Sequence, residues 1–91
     1  MLFLYRRASR AVWRQCHDRV LVLPAPEDEI VALTGTAEDL WQLLGEPLAV
    51  DEAARSLAAA YAGLVSEIRK DIAPVLDDLV GRGVADRVTA P

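Results

Sequence analysis

The chain predicts a single α+β domain, a three-stranded antiparallel sheet followed by three helices. Short apolar, β-branched runs separated by turn residues fill positions 11 to 33, and apolar residues at helical spacing fill positions 36 to 80. The two patterns meet in one stretch, Glu29 to Leu44, where a strand ends, Gly35 supplies a corner and a helix begins. With 91 residues and 53% apolar content the chain forms one compact core and leaves no room for a second domain. Residues 1–10 read as an N-terminal arm and residues 11–88 as the domain.

In the arm, Leu2 to Tyr5 are too apolar for a disordered tail. They cover an edge of this molecule or meet another copy, so a homodimer joined through Met1 to Tyr5 is one expectation. Ala11 to Cys16 reads as the first strand, His17-Asp18 as its turn, and Arg19 to Leu23 as the second strand. The prolines of Leu23-Pro-Ala-Pro-Glu-Asp28 stop pairing, and Glu29 to Leu33 forms the third strand of a meander.

Thr36, with Asp39 three residues on, suits the N-cap of a helix running to Leu44. This helix turns Leu40, Leu43 and Leu44 to one face with Trp41 at its edge, and Gly45 and Pro47 stop it. A second helix covers Val50 to Tyr61 on a stripe of Ala53, Ala54, Leu57, Ala58 and Tyr61, broken at Ala62-Gly63. Ala49 is a poor N-cap, so this start is expected to fray. The third helix covers Ser66 to Val80 on Ile68, Ile72, Val75, Leu76 and Leu79. Pro74 costs such a helix about 3 kcal/mol in its interior. Either the helix kinks near Lys70 or it starts late with Asp71 as cap; the kink fits the stripe better. Gly81 and Gly83 end it, and Val84 to Val88 suits a short closing strand.

Charge and composition exclude several functions. Residues 1–19 carry a net +4 from five arginines and Asp18, leaving −8 for residues 20–91. An acidic body disfavours phosphate backbones, so nucleic acid is not an expected partner. The lone Cys16 and lone His17 are adjacent, and a strand sends neighbours to opposite faces, so they form no catalytic pair. Spaced metal ligands and a phosphate-cradling loop are both missing from the pattern, and the pairs Asp51-Glu52 and Asp77-Asp78 suit solvated helix faces. No enzyme activity, cofactor or metal is expected. The single cysteine excludes an internal disulfide, and no run reaches the roughly 18 to 20 apolar residues of a membrane span. A cytoplasmic protein that touches no membrane is the expectation.

Recognition remains. Three strands and then three helices is an order compatible with a winged-helix-like domain, for which a DNA-binding regulator is the alternative function. The third helix sets Arg69 and Lys70 among Glu67, Asp71, Asp77 and Asp78, a poor match to a DNA groove. The third strand, by contrast, can offer an edge on which an extended peptide adds as a further strand.

The ordered set Leu33-Thr-Gly-Thr-Ala37, Leu40-Trp-Gln-Leu-Leu44, Val50-Asp-Glu52, Leu57-Ala-Ala-Ala-Tyr61, Ile68-Arg-Lys-Asp-Ile72 and Leu79-Val-Gly-Arg-Gly-Val84 resembles the PqqD-like family. These are the small leader-binding domains called RiPP recognition elements. The likeness covers roughly residues 11 to 85. Val12-Trp-Arg14 and Val20-Leu-Val-Leu-Pro24 look like the free-standing members found beside lasso-peptide enzymes. The resemblance implies a domain that binds the leader of a ribosomally made precursor peptide as an added strand and presents it to a separate modifying enzyme or leader peptidase. Carried over by position, the strand is Asp28, Glu29, Ile30, Val31, Ala32 and Leu33. The cleft wall is Arg69, Ile72, Ala73 and Leu76 on the third helix. Ile72 and Leu76 have core packing as their plain alternative, and Arg69 has solvent exposure.

Overall fold

A computed structural model describes residues 2–90. Five strands and three helices follow in the order β1 (Phe3–Arg7), β2 (Val12–Gln15), β3 (Val20–Leu23), β4 (Val31–Leu33), α1 (Thr36–Leu43), α2 (Val50–Tyr61), α3 (Val65–Gly81) and β5 (Ala85–Thr89). The class is α+β, as the sequence predicts, but the strands divide between two sheets. β2, β3 and β4 form the expected meander, with Trp13 opposite Val22 and Val22 opposite Val31. β1 and β5 form a separate antiparallel pair running from Phe3 opposite Thr89 to Arg7 opposite Ala85.

The apolar arm therefore has a partner within its own chain. Tyr5 also exchanges backbone hydrogen bonds of 2.8 and 3.0 Å with Leu48, which fastens β1 to the loop before α2. Met1, at the start of the segment expected to meet another copy, lies outside the described residues.

The core lies between the meander and the helices. The side chains of Val20, Val22 and Leu33 meet those of Leu40, Ile72 and Leu76 there. At its centre is Trp41, which helical spacing assigned to the edge of α1 and which is fully buried. The Trp13 ring meets the Trp41 ring edge to face at 5.6 Å. The Arg7 guanidinium lies 4.7 Å from one ring centre and 4.8 Å from the other, and its Nε donates to the Trp41 carbonyl at 3.0 Å. Burial lowers the Arg7 pKa from its ordinary value. Arg7 thus ties β1 to β2 and α1.

The helix ends differ in detail from expectation. Gly35, not Thr36, is the N-cap of α1; its φ of 60° and ψ of −131° belong to glycine, and no side chain caps the helix. Ala49 cannot cap α2 with its methyl group, but the Glu52 carboxylate accepts the Ala49 N–H at 2.9 Å, supplying the half of a capping box that the third residue provides. At its other end α2 closes on Ala62 in the left-handed conformation, φ 54°, with the Gly63 N–H donating to the Ala58 carbonyl. α3 begins at Val65, so the late start at Asp71 does not occur, and Pro74 lies inside the helix on its exposed side. There it offers no N–H to the Lys70 carbonyl one turn back. The closing strand pairs with β1 and not with the meander.

An alanine in the left-handed region costs about 1 kcal/mol or more. Ala62→Gly is expected to stabilise the fold by about 0.5 kcal/mol, net of the extra freedom glycine gives the unfolded chain. Urea melts of the variant and the parent chain measure the gain. Arg7→Lys keeps the charge but loses the planar stacking on two rings. A loss of about 1–2 kcal/mol is expected by the same melts.

Candidate functional site

The meander's strand order leaves β4 at an edge, bonded to β3 on one side and to no strand on the other among the described residues. The register decides which of its amides point outward. In the β2–β3 hairpin the Cys16 N–H donates to the Arg19 carbonyl at 2.8 Å, so that pair faces inward between the strands. Facing alternates along an antiparallel ladder, so Leu21 turns its backbone groups to β2, and Val20 and Val22 turn theirs to β4. Their partners Leu33 and Val31 are thereby spent on β3. Ala32 sends its N–H and C=O out to the open edge. Of the expected strand, Ala32 is the residue with free main-chain groups within β4, and Asp28, Glu29 and Ile30 form its exposed approach.

The side chains divide by face. Val31 and Leu33 turn toward the core, half-buried and buried; Ile30 and Ala32 turn to the opposite, exposed face. On α3, Ile72 and Leu76 are each 1% exposed and belong to the core. Ala73 is half-buried, and Arg69 is exposed and ion-paired with Asp51 at the start of α2. Arg69 and Ala73 line a depression of 290 Å³ together with Leu2, Phe3, Tyr5 and Val50. That surface belongs to β1 and the α2–α3 pair. The expected strand and the two accessible residues of the expected wall therefore border different depressions.

A second depression of 290 Å³ lies on the exposed face of the meander, lined by Val12, Trp13, Arg14, Leu21, Leu23 and Ile30. The sequence reading gave this face no role. Its signal was the unbroken apolar run Val20-Leu-Val-Leu23, since a strand apolar on both faces asks for cover on both. Among the described residues no group of three or more His, Cys, Asp or Glu is placed to hold a metal ion, and no helix is long and apolar enough to cross a membrane.

Residues 19–85 match the family model described as Coenzyme PQQ synthesis protein D (PqqD). The match takes in β3, β4 and all three helices and leaves β1 and β2 outside. No curated protein and no solved structure matches the chain.

The register makes a direct stability test. Val31→Pro removes a ladder donor facing β3 and should cost about 1–3 kcal/mol. Ala32→Pro removes a donor facing outward and should cost clearly less. Thermal unfolding of the two variants ranks them, and the reverse order would overturn the assigned facing.

Proposed function

We propose, from the premise that this chain belongs to the PqqD family, that it binds the leader segment of a ribosomally made precursor peptide as an added strand on the outer edge of β4. The family consists of non-catalytic peptide-binding partners of modifying enzymes. Under this reading the chain raises the concentration of the precursor at a separate modifying enzyme or leader peptidase by holding its leader. The site is Asp28, Glu29, Ile30, Val31, Ala32 and Leu33, with Ala32 supplying the outward main-chain pair. On α3, Arg69 and Ala73 are the accessible residues, while Ile72 and Leu76 support the strand from within the core. The setting is the cytoplasm, where ribosomal precursors are made. The free-standing form found beside lasso-peptide enzymes is the context that suits it.

One observation carries the reading: both terminal strands are committed elsewhere. β1 pairs with β5 and, through Tyr5, with Leu48, so neither end of the described chain occupies the β4 edge. An unpaired edge is a template for a further strand, whose main-chain bonds give register while alternate side chains give selectivity. The DNA-binding alternative gains nothing from the packing. Arg69 is paired with Asp51 and Arg82 with Asp78, which leaves Lys70 as the cation of α3 outside an ion pair among the described residues.

Selection of a displayed library of random dodecapeptides on the full chain tests the reading. Binders should be recovered, and a synthetic copy of one should bind Ala32→Pro at least about tenfold more weakly, a loss on the scale of one or two hydrogen bonds at a docked strand. Equal affinity for the variant, shown to be folded, would remove the site. Random duplex DNA should show no salt-steep binding.

A further inference from the structure

The exposed face of the meander carries two cross-strand rows. The register places Arg14 beside Leu21 and Leu21 beside Ala32; it places Val12 beside Leu23, and one step beyond β4 it sets Leu23 beside Ile30. Both rows run to the β4 edge. Val12 is 68% exposed and Ile30 64%, with the half-buried Leu21 and Leu23 forming the floor between them. The methyl group of Ala32 covers little, so a side chain beyond it reaches Leu21, within the roughly 7–8 Å span of diagonal neighbours on a sheet. Just before β4 stand Glu27, Asp28 and Glu29, all exposed and in no ion pair among the described residues.

A strand added to β4 is the next member of each row. Its alternate side chains fall beside Ile30 and beside Ala32, on the side away from the helices. The acidic run sits where one end of that strand passes. It attracts a basic segment, whereas a second copy of the chain, −4 overall, is repelled as a body.

We propose that this face selects the peptide: the surface over Ile30, Ala32 and Leu21 takes two outward side chains of the added strand, both apolar and two residues apart, and Glu27-Asp28-Glu29 takes a basic residue at its end. Ala32 is the size-determining position, because any larger residue there closes the approach to Leu21. The inference rests on strand addition at β4 and goes beyond it in saying which peptides are chosen. The outer face is thus part of the reading surface and not a bystander.

The dodecapeptide selection is again the probe, now read by its sequences and by face variants. Enriched peptides should share two apolar residues at i and i+2 and a Lys or Arg flanking them. Ile30 is exposed, so Ile30→Ser should fold normally and should weaken a selected synthetic peptide about tenfold, as expected when one apolar contact is lost. Ala32→Leu should bind the same peptide at least tenfold more weakly and, when itself used for selection, recover peptides with a small residue at one of the two positions. Replacing Glu27, Asp28 and Glu29 by Gln, Asn and Gln should remove the preference for the basic residue. If Ala32→Pro abolishes binding while Ile30→Ser and Ala32→Leu leave it unchanged, strand addition stands and this inference fails. If none of the three changes it, both fail, as they do if no peptide is enriched. A dimer in sedimentation that Ile30→Ser dissolves would assign the face to self-association and overturn the inference.

Discussion

The packing of Trp41 is the interaction on which the remaining architecture depends. Aromatic side chains of this size remove about 150–250 Å² from water, worth roughly 4 to 6 kcal/mol at 25 cal/mol per Å². Trp41 obtains this burial only because three elements converge on it. Trp13 from β2 meets its ring edge, Arg7 from β1 lies against both rings, and α1 itself is fixed by the Gly35 corner. Its indole N–H reaches no acceptor among the described residues, so packing and not hydrogen bonding holds it. The arginine closes the open side of the cluster and bonds the Trp41 carbonyl, converting an arm with a net positive charge into a structural strand.

That arrangement has a consequence at the opposite edge. β1 reaches Trp41 by running beside β5 and bonding Leu48, which uses the chain's terminal strands on one another. Had either added to the β4 side of the meander, the outer groups of Ala32 would already be paired. In this chain the β4 edge stays open while the terminal strands pair with each other well away from it. Three residues make a short strand, which limits edge-to-edge association.

Much of the secondary structure was legible because it follows from local chemistry. The bounds of α2 are those its alanine stripe and the Ala62-Gly63 break imply, and the meander follows from apolar runs cut by His17-Asp18 and by Pro24 and Pro26. Thr36 misled for a local reason too: a threonine before an acidic first turn is a good cap, but the positive φ needed at the corner fell to Gly35, which put Thr36 inside the helix. Trp41 was assigned to an edge because helical periodicity ranks positions within one helix. It carries no information about a tryptophan and an arginine arriving from residues 13 and 7. The expected peptide wall was partly legible: Arg69 and Ala73 are accessible, but Ile72 and Leu76 face inward, because the face of α3 that carries the apolar stripe is the one the core claims.

By itself the sequence determined the class, the meander and the order of the elements that follow the arm, since apolar period, turn residues and glycine corners act over a few neighbouring positions. Tertiary structure alone decided that the terminal strands pair with each other, that Ala32 and not Val31 turns its amide outward, and that an apolar face stays uncovered beside that amide. Each of these depends on the meeting of segments tens of residues apart, where register and long-range packing, not local preference, set which groups are spent and which remain free.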